Sequence, residues 1–413
     1  MSLVSGAQDA IPAISPATLR AWLQDGAELA ILDAREEETF SAAHLLHAAN
    51  FPLSRLEALA PALLPRRDVR IVLTDEGEGL AQTAAQRLAG FGYAAVSVLE
   101  GGNAAWAAAG YPLYSGVHVP SKAFAEVIEH EWGTPYITAR ELAEFQARGE
   151  KLTLLDARPY EEHHNHTVPG STFVPGAELL LRAGDVVSGP DELVVVHCGG
   201  RTRSIIGAQA LISGGLKNRV VSLKDGTMAW ALEGLDLAFG AQGHPPAFVS
   251  GAARTFAEEA GARVAQQAQV EHISAAQLEE WRTDKTRTLH VFDVRTPAEF
   301  REGHLPGSLS APGGQLVQET DSFIAVLGAR IVLVDDESLA RARITAFWLK
   351  QLGWSEVVIL DGGLGAGVLE TGETAPACLV SRSLKMEMWR ACLPHNFRPC
   401  WIRPRVSRWW IWH

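Results

Sequence analysis

The sequence predicts an α/β architecture built three times in tandem, each unit a mainly parallel sheet covered by helices on both faces. Three observations carry this prediction. One pattern recurs along the 413 residues at a period of about 125 to 135. Within each copy, short apolar β-rich runs alternate with stretches of helical spacing, the order that yields a parallel sheet. Each copy also closes one apolar run with an Asp-x-Arg triplet: Asp33-Ala-Arg35, Asp156-Ala-Arg158 and Asp293-Val-Arg295.

Composition sets the class. With 47% hydrophobic and 20% charged residues the chain reads as a soluble globular protein, long enough for three domains that each bury a core. A net charge of −12 argues against nucleic acid or an anionic membrane surface as the main partner. No apolar run reaches the length of about 18 residues that would span a bilayer, and the opening Met-Ser-Leu-Val-Ser-Gly-Ala-Gln-Asp lacks the basic and apolar regions of a signal peptide. Four cysteines without a Cys-x-x-Cys pair suit a reducing compartment, so a cytoplasmic location is expected.

Each copy opens with a short amphipathic helix, at Ile14-Ser-Pro-Ala-Thr-Leu19, Ile137-Thr-Ala-Arg-Glu141 and Ile273-Ser-Ala-Ala-Gln277. Thr138 with Glu141 and Ser274 with Gln277 have capping-box spacing, and Ser15 precedes a proline at the favoured first helical position. The triplet strand follows. An acid and a base two apart at a strand end share a face and can tie neighbouring loops together. The turns after it include His163, His164 and His166, but these align with ordinary residues of the third copy and no carboxylate pattern completes a metal site, so no metal is expected.

A second apolar strand comes next and ends differently in each copy. Leu193-Val-Val-Val-His-Cys198-Gly-Gly-Arg-Thr-Arg-Ser204 stands where the first copy has Arg70-Ile-Val-Leu-Thr-Asp75 and the third has Arg330-Ile-Val-Leu-Val-Asp335. A helix then begins at Ser204. A thiol in a loop that closes onto a helix N-terminus faces inward-pointing N–H groups and the positive end of the helix dipole, which favours the thiolate. Gly199 and Gly200 are expected to let the backbone curl around the sulfur. Arg201 and Arg203, on a solvent-facing loop, add fixed charge for an oxyanion. The aspartates of the other two copies cannot act as such a nucleophile, and the acids beside them repel anions.

Each copy closes on a strand and a Gly turn, Gly101-Gly102, Gly226 and Gly362-Gly363, with Trp106 and Trp230 expected in the core. Stretches 120–130 and 255–267 read as linker helices. The expected division is residues 12–115, 131–240 and 270–374.

The loop from Cys198 to Ser204, with Asp156-Ala-Arg158 upstream, resembles the active-site loop of the rhodanese (sulfurtransferase) family, in which Cys is followed five positions later by Arg and then by Ser or Thr opening the helix. Arg201 departs from the Gly found in many single-domain members. The resemblance covers residues from about 12 to about 374 as three rhodanese-like domains. It implies Cys198 as catalytic nucleophile, Gly199, Gly200, Arg201, Thr202, Arg203 and Ser204 as substrate-binding, and Asp156 with Arg158 as support for the loop. It further implies sulfur transfer through a Cys198 persulfide, from thiosulfate or another sulfane donor to cyanide or a thiol acceptor, with no cofactor. A homo-oligomer is compatible with this. Two alternatives stay open: a partner-binding or redox-sensing module, and a cysteine-dependent phosphatase, whose loop in the related branch is one residue longer.

After residue 375 the chain changes character. Seven Arg or Lys against one acid give +6, and Pro394, Pro399 and Pro404 interrupt any helix or strand period. An Arg/Trp-rich membrane-surface tail is one reading. The favoured expectation is an out-of-frame segment standing where a fourth rhodanese-like domain would begin.

Overall fold

The computed structural model describes residues 11–373 together with Leu379. The expectations about the first ten residues and about the basic tail lie outside these described residues.

Three sheets form, and all three have one strand order. In the second unit the order is Tyr136–Ile137, Val220–Leu223, Leu193–His197, Leu152–Asp156 and Thr172–Phe173, every pair parallel. Parallel neighbours need crossover connections, and the helical stretches between strands supply them. The central strand of each sheet is a run of branched aliphatics buried on both faces. Val194 and Val196 face one core with Ile205 and Leu211, whereas Val195 faces another with Leu142, Leu154 and Trp230. Alternate residues of one strand therefore hold two helical layers, each fully buried aliphatic contributing roughly 2 kcal/mol. Trp106 and Trp230 are buried as expected, and their indole N–H groups donate to the carbonyls of Pro112 and Asp236 at 3.1 and 3.0 Å.

The opening helices start at the expected caps. The side chains of Ser15, Thr138 and Ser274 accept from the backbone N–H three residues on, each cap contributing about 1 kcal/mol. Only Thr138 completes the reciprocal box in these openings, with the Glu141 carboxylate accepting from the Thr138 N–H at 2.7 Å. Linker helices occupy Val119–Trp132 and Gly251–Gln267.

The units are fused more closely than three tandem domains require. One continuous core runs through the second and third, joining Leu179, Val196 and Leu211 to Leu333 and Phe347. The linker helix Gly251–Gln267 packs against helix Glu178–Val186 of one unit and Ala340–Gln351 of the other. A short strand of the third unit, Val326–Leu327, pairs antiparallel with Leu29 and Ala30 and becomes the sixth strand of the first sheet. Beside it the Glu28 carboxylate accepts from the Thr288 N–H and hydroxyl at 2.8 and 2.6 Å and pairs with Arg66 and Arg287. Among the described residues no helix is long and apolar enough to cross a membrane.

Candidate functional site

Strand Leu193–His197 delivers Cys198 to the carboxyl end of the second sheet, the edge where such sheets place their sites. The helix begins at Thr202, two residues earlier than the sequence suggested, with Arg201 in the capping position. This leaves four residues from the cysteine to the first helical position. In the other two copies the helices start at Leu80 and Ala340, five residues after Asp75 and Asp335.

Cys198 is 2% exposed and its backbone is clamped from behind. Its carbonyl accepts from the Thr227 N–H at 2.9 Å, and the Gly199 carbonyl accepts from the Met228 N–H at 3.2 Å. Gly226 makes this approach possible. It has φ +52°, and a Cβ on it would stand 2.1 Å from the Cys198 oxygen. The same clamp holds Asp75 through Gly102 and Asn103, and Asp335 through Gly363 and Leu364. The Gly turn read from the sequence as the end of a unit is thus also the back wall of its loop. By contrast, neither Gly199 nor Gly200 has a positive φ, and a Cβ on either would meet nothing closer than 3.9 Å. At this loop the left-handed conformation and the close backbone approach fall at Gly226 instead.

The aspartate copies reveal what the loop is shaped to hold. The Asp335 carboxylate accepts from the N–H groups of Asp336, Arg341 and Ala342 at 2.8, 2.8 and 3.0 Å. Asp75 accepts from those of Gly77 and Ala81 at 2.9 and 3.0 Å. In both, an anion belonging to the chain sits against the first turn of the helix, where N–H groups have no intrahelical partner. In the second copy the equivalent position carries the thiol.

The arginines are less free than a solvent-facing loop implied. Arg203 is half-buried and forms a two-pronged pair with Glu162, at 2.7 and 2.9 Å. Burial lowers its basicity, but the pairing with Glu162 and the nearby Asp156 outweigh this and raise it. Arg201 points away to the linker helix, pairing with Glu126 at 2.7 Å and closely with Glu129. The Ser204 hydroxyl donates to the Arg201 carbonyl at 2.7 Å, and Thr202 is buried at the helix start. Glu162 has no role in the reading of the sequence above. Its signal was available, since Glu299 recurs six residues after the triplet aspartate of the third copy.

Asp156 and Arg158 form the expected two-pronged pair at 2.9 and 2.7 Å, both fully buried. Arg158 also donates to the His166 carbonyl at 2.6 Å, and Asp156 accepts from Thr167 at 2.8 Å. The pair therefore fastens the turn at residues 166–167, as Arg35 does at Ala43 and Arg295 at Gly303. Its reach to the cysteine loop is indirect, through the Ala157 N–H on the His197 carbonyl at 2.9 Å. Burial would raise the Asp156 carboxyl, but His197, Arg158 and His163 hold it well below the usual range. His197, fully buried beside the cysteine, is pushed down to about 4 by burial. It meets the Ser171 hydroxyl, which itself donates to Val168. The three clustered histidines diverge: His163 goes to Asp156, His164 to the Ala241 carbonyl and His166 to Asn165.

A five-stranded parallel sheet with a cysteine in its central strand-to-helix loop, accompanied by two copies bearing aspartate there, defines a multi-domain protein built three times on one strand-loop-helix scaffold. Residues 15–109, 138–233 and 274–368 match the family model of the rhodanese-like domain, and the chain belongs to that family. Its structure resembles that of a thiosulfate sulfurtransferase from Pseudomonas aeruginosa, with 43% identity and a TM-score of 0.87 over 92% of this chain and 73% of that one. Shorter matches link it to an HTH-type transcriptional regulator of Mycobacterium tuberculosis, 34% identical over 105 residues, and to an isopentenyl-diphosphate delta-isomerase of Vibrio parahaemolyticus, 30% identical over 138 residues. These cover 25% and 33% of this chain and 45% and 38% of the respective relatives, so the chain spans less than half the length of either.

Proposed function

We propose that the protein is a sulfurtransferase in which Cys198 carries sulfur as a persulfide. The Cys198 thiolate attacks the outer sulfur of thiosulfate, the bond between the two donor sulfurs breaks, and sulfite leaves with the electron pair. A thiolate or cyanide then attacks the outer sulfur of the persulfide, taking it as a new persulfide or as thiocyanate and returning Cys198 as thiolate. The cycle is ping-pong and balances without a further oxidant, reductant or cofactor.

The observation that carries this reading is the pair of aspartates at the equivalent position. Their carboxylates accept two or three backbone N–H groups each, so the loop is a cradle for an anion attached to the residue at its base. A persulfide anion on Cys198 is such a group. The likeness to the Pseudomonas thiosulfate sulfurtransferase supports thiosulfate as donor. In this scheme Arg203 offers positive charge to the donor anion, and Asp156 with Arg158 keeps the surrounding turn in place. The test is the mass of the intact protein after incubation with thiosulfate. One added sulfur, located on the Cys198 peptide and removed by cyanide, is expected. An unmodified Cys198 overturns the reading.

A further inference from the structure

The second and third domains meet face to face through equivalent elements. The sheet registers pair Asp156 with Phe173 and Asp293 with Ser310, so the segments that follow, Val174-Pro-Gly-Ala-Glu178 and Ala311-Pro-Gly-Gly-Gln315, correspond residue by residue. The two segments touch at glycines: a Cβ on Gly314 would lie 3.0 Å from the Gly176 backbone, and one on Gly313 would lie 2.8 Å from Ala177. This closeness lets each domain reach the other's loop arginine. Arg341 of the third domain pairs with Glu178 of the second at 2.9 Å, and Arg203 of the second meets Gln315 Oε1 of the third at 3.5 Å. Within its own domain each arginine also pairs with the equivalent acid, Arg341 with Glu299 and Arg203 with Glu162.

The exchange is symmetric in position and unequal in charge. Arg341 contacts four carboxylates, Asp335, Asp336, Glu178 and Glu299, of which Glu178 is shared with Arg182 and Asp336 with Arg254, so the cluster carries +3 − 4 = −1. Arg203 contacts Glu162 alone, giving +1 − 1 = 0, because the place of Glu178 is taken by a neutral amide. The amide is held in this sense: its Nε2 donates to Glu319 at 2.9 Å, which turns Oε1 toward the guanidinium. A carboxylate of the same size occupies the counterpart position at Glu178, where Arg182 stands four residues on; at position 315 it would face Glu319 instead.

We propose that Gln315 is a specificity-determining residue of the Cys198 site, supplied by the domain next door: it positions Arg203 without neutralising it, and so keeps the site open to anionic reagents. This rests on Cys198 being the reacting group of the proposed function. A glutamate at position 315 would bring a second full negative charge onto Arg203 and repel an anionic donor. The cysteine-free third domain thereby sets the charge selectivity of its neighbour.

The test compares the rates at which iodoacetate, an anion, and iodoacetamide, a neutral reagent of the same reach, alkylate Cys198 in the full chain, read on the Cys198 peptide by mass. Gln315→Glu is expected to lower the iodoacetate-to-iodoacetamide ratio about tenfold at low ionic strength, an effect that shrinks with added salt. Gln315→Met loses the amide but adds no charge, and its change in the ratio is expected to be several-fold smaller. Thiosulfate KM should rise in Gln315→Glu by a similar factor with kcat much less affected. If Gln315→Glu does not fold, the exchange Glu178→Gln with Gln315→Glu keeps the interface charge constant and gives the same readout. Equal shifts in the Glu and Met variants, or no salt-dependent shift in the ratio, overturn the proposal. Absence of thiosulfate turnover in the wild type would sink the proposed function and leave the alkylation ratio still decisive for Gln315.

Discussion

Gly226 stands so close to Cys198 that a methyl group on it would lie 2.1 Å from the cysteine carbonyl oxygen. The contact is backbone against backbone, so no side-chain rotation relieves it. Gly102 and Gly363 hold Asp75 and Asp335 at 2.2 Å by the same measure, which makes the clamp a property of the scaffold and not of the nucleophile.

Gly226→Ala is therefore expected to shift the cysteine loop. The left-handed φ of +52° adds to the clash, and a loss of roughly 1–3 kcal/mol is expected. Urea unfolding measures the stability, and thiosulfate-dependent turnover should fall at least tenfold in protein that remains folded. Wild-type turnover in this variant would mean that the loop tolerates displacement.

Cys198→Ser should abolish sulfur transfer while leaving the fold in place, because the change is small and a hydroxyl cannot hold a persulfide. The remaining three cysteines, Cys378, Cys392 and Cys400, stay in the variant. Residual turnover above background would assign the chemistry to one of them.

Arg203→Met removes the loop cation that pairs with Glu162 and leaves that carboxylate beside the loop. The expected outcome is a thiosulfate KM raised tenfold or more, with a smaller loss in kcat. A KM within twofold of wild type would assign anion binding to backbone N–H groups alone.

Arg341 is fully buried among four carboxylates, and burial pushes the Asp335 carboxyl up to about 6 even with the guanidinium present. Arg341→Met strands those charges, a change expected to cost about 3–5 kcal/mol. Because Arg341 joins the second and third domains, the loss should appear in the urea unfolding of both. A change below about 1 kcal/mol would show that the cluster relaxes by taking up protons.

His197 and His290 are fully buried, and burial pushes each down to about 4. Between pH 4 and the unfolded value of 6.5 the unfolded chain binds these two protons and the folded chain does not. Stability should accordingly fall as pH drops from 6.5 toward 4, by up to about 3 kcal/mol for each histidine. His197→Thr, which installs the residue found at position 74 of the first domain, should flatten this acid limb. An unchanged slope of stability against pH would remove His197 from the account.

The amino-acid sequence alone determined the three-fold repeat, the parallel sheets, the capped opening helices and the single copy that carries a thiol. All of these are local. Alternating Val, Ile and Leu fix a strand buried on both faces, Ser15, Thr138 and Ser274 fix helix starts within three residues, and the identity of residue 198 is a matter of reading it. Helix onset was misplaced by two residues at Thr202, since the cap there is the backbone of an irregular loop with no side-chain cap bond.

Tertiary structure decided what those residues face. Arg201 and Arg203 read as free charges because their partners are distant in sequence, Glu126 and Glu129 lying 75 and 72 positions from Arg201 and Glu162 lying 41 from Arg203; the pairs exist only once the linker helix and the turn after the triplet have packed. The glycine that matters is Gly226 and not Gly199, because close approach depends on which strand end and which turn the fold brings together. Gln315 reaches Arg203 across 112 residues, and Glu28 reaches Thr288 across 260. Such contacts leave no periodic trace along the chain, since each depends on the docking of one complete unit against another.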